Sequence, residues 1–268
     1  MRNRHWKSSV SRILVVLLVG VACTVCATTV PGQEKPGYDD TPMLPESQWR
    51  VHDRNRPQPP TVEPGLEPGT PPADAIVLFD GRDVSEWEDV TSDAVEDGAI
   101  NVVKTKGLTT KKEFGDCQLH IEWATPAEAD GNAMNWGNSG VFFHGLYELQ
   151  IIESKACQIY ADGIAGAIYG QFPPLVNPSR GPGEWQTFDA VFLAPRFDGE
   201  KLVEPARMTV FWNGVLVQYH QKILGATQHK MFPEYRSNQS TGPLVIQQHH
   251  SAVRLRNIWI RPIDLTEK

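Results

Sequence analysis

The sequence predicts an all-β chain folded as a two-sheet sandwich of jelly-roll type. Apolar residues after Ala73 fall in short β-prone runs divided by Gly, Pro, Asn and Asp, and almost no segment holds a helical period. Asn213-Gly214 stands between two alternating runs, the strongest short-range signal for a hairpin. With 268 residues, 40% of them hydrophobic, the chain can bury one sizeable core, expected over residues 73–265.

The expected strands follow in order. "IVLF" at 76–79, "AINVV" at 99–103 and "CQLHIEWA" at 117–124 come first, and "VFFH" and "YELQIIE" then flank a tight turn at Gly145. "WQTFDAVFLA" at 185–194, "RMTVFW" and "VLVQYH" around Asn213-Gly214, "LVIQQH" at 244–249 and "VRLRNIWI" at 253–260 complete the set. About ten strands suit two packed sheets. The period of two puts Leu119, Ile121 and Trp123 on one face and Gln118, His120 and Glu122 on the other. Likewise Tyr147, Leu149 and Ile151 pack while Glu148 and Gln150 share the opposite face. Neighbouring polar faces of these two strands would form a floor of carboxylates, amides and imidazoles suited to a sugar.

The first residues read as an export signal. Arg2, Arg4, Lys7 and Arg12 precede the ten-residue apolar run Ile13 to Ala22, and small residues follow. A spanning helix needs about 20 apolar residues, so no transmembrane span is expected once residues 1–27 are removed. Val25-Cys26-Ala27 offers a cleavage site, and Gly20 to Cys23 an imperfect lipoprotein-type one that would leave a lipid anchor. Periplasmic or extracellular placement follows. Residues 28–72 are Pro-rich and are expected as an extended, polyproline-like lead-in, with Trp49, Val51 and Val62 as apolar handles. The net charge of -7, with no basic cluster among the strands, argues against nucleic acid and for a neutral or polar small ligand. Cys117 and Cys157 can pair or remain buried thiols.

A carboxylate inside an apolar alternation is costly unless paired or used, which singles out Glu148. Glu153 cannot complete a glycosidase pair with it on one strand, because five residues of separation send the two side chains to opposite faces. Glu122, Asp162 and Asp189 are the loose alternatives. No G-x-S-x-G elbow occurs, and "GIAGAIYG" at 163–170 lacks the context of a phosphate loop, so close backbone approach is its expected use. His249 shares its expected face with Gln247 and could act as acid, base, sugar contact or metal ligand. The spacing indicates no metal site, although dispersed ligands leave a divalent ion open. Tryptophans 87, 123, 185, 212 and 259 are expected in the core, whereas Trp136, in "DGNAMNWGNSG", could stack on a sugar or pack its own loop.

Five ordered segments, "AIVLFDGRDVSEW", "GNSGVFFHGLYELQIIES", "YADGIAGAIYGQFPPLVNPSRGPGEWQTFDAVFLAPRFD", "NGVLVQ" and "GPLVIQQHHSAVRLRNIWIRP", resemble the 3-keto-disaccharide hydrolase family, with similarity from about Trp49 to Pro262. The resemblance implies a concanavalin A-like lectin/glucanase-type jelly roll, an exported bacterial protein and cleavage of glycosides oxidised at C3. That cleavage is a 1,2-lyase step followed by hydration of a 3-keto-2-hydroxyglucal. A C3 carbonyl acidifies the C2 proton, so one base and an enolate stabiliser suffice. By position, Glu148 or His249 is the expected base; Asn138, Ser139, Gln150, Tyr169 and Gln247 are expected on the sugar, with Trp136 beside them. The chain departs from the family's usual "LQDHG" by reading "IQQHH", with Gln248 for the acid and His250 for Gly; Trp212 stands where His often precedes "NG". A missing acid at 248 would leave a site histidine less well set. A non-catalytic, lectin-like carbohydrate-binding module is the alternative reading.

Overall fold

The computed structural model describes residues 38–45, 47–57, 66–129, 135–157, 159–236 and 238–265. The expected export signal and Val62 lie outside them, and no helix among the described residues is long and apolar enough to cross a membrane. The chain divides into two compact units, residues 1–58 and 59–268.

Within the first unit the described residues are not extended polyproline chain. Val51 N–H donates to Pro42 O at 3.0 Å, Leu44 N–H to Trp49 O at 3.0 Å and the Arg50 guanidinium to Thr41 O at 2.7 Å. Asp53 drives this reversal by accepting from the Arg50 and Asn55 amides, an Asx-type turn that competes with extension.

The second unit is the all-β sandwich. Its strands are β1 (Ile76–Phe79), β2 (Val95–Glu96), β3 (Ala99–Asn101), β4 (Leu108–Phe114), β5 (Cys117–Ala124), β6 (Ser139–Phe143) and β7 (Tyr147–Ile151). They continue with β8 (Gln186–Leu193), β9 (Arg196–Asp198), β10 (Lys201–Glu204), β11 (Arg207–Trp212), β12 (Val215–Lys222), β13 (Gly242–Ile246) and β14 (Arg254–Pro262). The larger sheet runs β12-β11-β8-β5-β14-β3-β2, with β1 also on β14; the smaller runs β4-β13-β6-β7; β9 and β10 form a separate ribbon. Asn213 and Gly214, both at positive φ, join β11 to β12 in the two-residue turn the sequence predicts.

Side-chain alternation builds the core. Leu119, Ile121 and Trp123 of β5 and Phe188, Ala190 and Phe192 of β8 face Val141 and Phe143 of β6 and Tyr147, Leu149 and Ile151 of β7. Phe143 stacks on Phe192 across the sheets with centroids 4.8 Å apart. The sequence passes over β4 because "LTTKKEF" carries three consecutive charges. It is an edge strand, where charge on the outer row discourages pairing with another chain. Cys117 is buried in the core and Cys157 donates its thiol to Glu153 O, so both are free thiols.

The polar face of β5 does not adjoin that of β7, because the two strands lie in different sheets and back onto opposite outsides of the sandwich. On the outside of the larger sheet His120 Nδ1 meets Asp189 Oδ1 at 2.7 Å, and Glu122 receives Arg256 Nε at 2.6 Å and Asn257 Nδ2 at 2.9 Å. Asn257 occupies a bulge at φ 45°, where β14 shifts register. The end of the lead-in is fastened here: Gly69 O accepts from Asn257 Nδ2 and Trp259 Nε1, each at 2.9 Å. Trp259 is buried, as expected, but on the outer side of the larger sheet, where it stacks on His120; Trp185 lies half-buried under the Arg256 guanidinium and is not the core residue expected.

Burial opposes a charged His120, but its bonds to Asp189 and Glu122 outweigh this and raise its pKa to about 9. Contact with His120, against the cost of burial, and bonds from Asn257 and Arg256 hold Glu122 down to about 2. A raised histidine stabilises fully below its unfolded value of 6.5 and is lost as pH passes 9. Glu122 contributes above its unfolded value of 4.5 and is lost as pH falls toward 2. The clamp is therefore complete between about pH 4.5 and 6.5. Urea unfolding is expected to give a midpoint that falls between pH 6.5 and 9.5, with a smaller fall in His120→Gln.

Candidate functional site

The outer face of the smaller sheet carries the site. Glu148 and Gln150 project from β7 away from the core, as alternation requires, and β6 places Phe142 opposite Glu148 and Gly140 opposite Gln150. The free edge of β7 is closed by the glycine-rich stretch 163–170 rather than by a strand. Gly166 N–H donates to Gln150 O and Gln150 N–H to Ala167 O, each at 3.0 Å, and Tyr169 N–H donates to Glu148 O at 3.2 Å. Gly166, at φ 77°, makes the close approach; a Cβ there would sit 3.3 Å from the Trp212 ring.

These elements enclose a cavity of about 610 Å³, within the range of small-ligand pockets. Asn138, Gln150, Gln247 and His249 line it beside Glu148 and Tyr169. Six of the eight side chains expected at the site thus converge, from four separate stretches of chain. Ser139 is buried and donates its hydroxyl to Gln247 O at 2.7 Å, fixing the end of β13 against β6. Trp136 does not line the cavity; its indole donates to Pro126 O at 2.9 Å and holds its own loop. The other loose carboxylates do not line it either: Glu122 and Asp189 belong to the opposite outside of the sandwich.

Strand β13 ends at Ile246, so Gln247 and His249 reach the cavity from a loop and not by strand alternation. Asn138 Nδ2 approaches His249 Nδ1 at 3.4 Å. Gln248 does not line the cavity. His250 sits at φ 60°, a left-handed conformation that glycine adopts freely and that histidine holds less readily.

Two glutamates, one at the start of β7 and one just past its end, have opposite hydrogen-bonding surroundings. Glu153 is fully satisfied, accepting from Thr125 Oγ1 at 3.0 Å and from the Lys155 and Ala156 amides at 2.8 and 3.0 Å. Glu148 is 5% exposed, and among the described residues no donor or cation bonds its carboxylate. Burial alone pushes its pKa from 4.5 up to about 8. The carboxyl packs against Gly140, where a Cβ would collide with Glu148 Oε1 and lie 2.9 Å from Cγ. A buried carboxylate without a partner, beside amides and phenols, has the chemistry to exchange a proton with a bound molecule.

Sequence reasoning missed the opposite wall. Tyr160, Thr227, Gln228 and His229 also line the cavity. Tyr160 and Tyr169 hydroxyls meet at 2.7 Å, and Tyr169 Oη meets His229 Nδ1 at 2.8 Å. Thr227 and His229 come from the irregular segment between β12 and β13, which has no periodicity to mark a face. Among the described residues, no group of three or more His, Cys, Asp or Glu is gathered in a way that could hold a metal ion.

Residues 74–261 match the model of the 3-keto-alpha-glucoside-1,2-lyase-like domain. A candidate glycosyl hydrolase from Parabacteroides distasonis ATCC 8503 of known crystal structure is 40% identical, with a TM-score of 0.73 over 80% of this chain and 97% of that one. Two further candidate glycosyl hydrolases from that organism share the fold. One is 22% identical with TM-score 0.51 over 71% and 94% of the chains, the other 20% identical with 0.53 over 70% and 99%. Among proteins of curated function none matches.

The raised pKa makes Glu148 a stability cost. Between pH 4.5 and about 8 the native state holds a proton that the unfolded chain has released, so stability falls as pH rises through that window. Glu148→Gln is expected to exceed the wild type at pH 9 by on the order of 3 kcal/mol, and to differ little at pH 4, in chemical denaturation.

Proposed function

The chain belongs to the 3-keto-alpha-glucoside-1,2-lyase-like domain family, and from that membership we propose that it cleaves 3-keto-glycosides by β-elimination and rehydration. The observation that carries this reading is Glu148: buried, unpaired and facing a cavity of disaccharide size. In its ionised form it removes the proton at C2, which the C3 ketone has acidified. The electron pair becomes the C1–C2 double bond as the C1 substituent leaves. Water then adds at C1, and the protonated carboxyl returns its proton to C2. Asn138, Gln150 and Gln247 supply amide N–H groups for the ring hydroxyls and the developing enolate oxygen. His249, held near Asn138, lines the same cavity and serves substrate orientation.

Carbohydrate processing is also the function class named for the 40%-identical relative. The charged, apolar and small-residue order of residues 1–27 supports export as the setting of the activity.

Purified protein assayed on 3-keto-glycosides, with and without chelator, tests the proposal. Aglycone release is expected, and Glu148→Gln should lose roughly 100-fold or more in kcat. Bound ketosugar with no aglycone released would favour the lectin-like module instead. Because the base must be ionised, kcat/KM should climb tenfold per pH unit and level off near pH 8. Gly140→Ala should lower kcat by displacing the Glu148 carboxyl while leaving the circular dichroism spectrum unchanged.

A further inference from the structure

The β-elimination proposed above leaves one proton unassigned, since an alkoxide expelled from C1 needs a donor. We propose that the Tyr169 hydroxyl is that donor, and that Tyr160 and His229 are positioning residues that stabilise the phenolate it becomes. This inference rests on the ketosugar reading.

A phenolic oxygen has one proton to give and two lone pairs to fill. Tyr160 Oη at 2.7 Å and His229 Nδ1 at 2.8 Å are placed to donate to those lone pairs, leaving the Tyr169 proton for a third partner in the cavity. Tyr169 is also tied to the proposed base through its backbone, whose N–H donates to Glu148 O at 3.2 Å. The two groups therefore border one substrate from adjacent positions. Burial, joined by the nearby charge of Glu148, raises the Tyr169 pKa and keeps the phenol protonated until the leaving oxygen claims the proton. Amides of Asn138, Gln150 and Gln247 are not acidic enough for that task.

The protons balance over both half-reactions. In elimination Glu148 takes the C2 proton, the C1–O bond breaks, and the departing oxygen takes the Tyr169 proton. In hydration water gives its oxygen to C1 and one proton to the Tyr169 phenolate, while Glu148 returns its proton to C2. Both groups end as they began.

Leaving-group dependence tests this. Kinetics are measured on methyl and 4-nitrophenyl 3-keto-glucosides, the second of which departs without needing a proton. Tyr169→Phe should depress the methyl substrate much more, shifting the ratio of the two kcat values roughly 30-fold or more. Tyr160→Phe and His229→Ala, changes at exposed or half-exposed side chains, should shift the ratio in the same direction, whereas His229→Gln, which keeps a donor, should restore most of it. An unchanged ratio in Tyr169→Phe, or, should that variant fail to fold, in both Tyr160→Phe and His229→Ala, would overturn the donor assignment and point to Glu148 shuttling its own proton. Wild-type protein that releases neither aglycone would overturn the ketosugar reading, and this inference with it.

Discussion

The backbone bonds between β7 and the glycine-rich stretch 163–170 are the constraint on which the site depends. They close an otherwise open sheet edge, bring Tyr169 against Glu148 and turn the polar face of a two-sided strand into the floor of a cavity. A regular strand in that place would present alternating side chains at strand spacing. The glycine-rich chain instead approaches closely at Gly166 and is still bonded to β7 at Tyr169. The same segment thus protects the edge from pairing with other chains and supplies the cavity wall beside the carboxylate.

Glu148 shows how the fold sets chemistry apart from stability. Glu153, five residues on, is held by three donors and orders a loop, as a buried carboxylate ordinarily must. Glu148 has none among the described residues, so nothing offsets the burial that raises its pKa to about 8. Gly140 is the counterpart of that choice, since any side chain there would occupy the carboxyl's place.

Much of this was legible in the sequence where period and turn chemistry speak directly. Ten strands, the Asn213-Gly214 hairpin and the outward face of Glu148 and Gln150 follow from alternation alone, and the family resemblance selected Tyr169 and Gln247. What was not legible depends on which strands become neighbours. The polar faces of β5 and β7 look equivalent in sequence, yet sheet order sends them to opposite outsides of the sandwich. Trp259 is buried, but the bulge at Asn257 shifts the alternation by one residue and puts it on the outer side of the sheet. Tyr160 and His229 lie in irregular chain, and only the closed fold brings them to Tyr169.

The fastening of Gly69 has a directional consequence. Its carbonyl is gripped by Asn257 and Trp259 on the outside of the larger sheet, whereas the cavity lies on the outside of the smaller one. The polypeptide therefore enters the sandwich at its back. Force applied to the sandwich through residue 69 is therefore borne by two side chains of β14 on the rear face, and not by the strand and loops that shape the cavity.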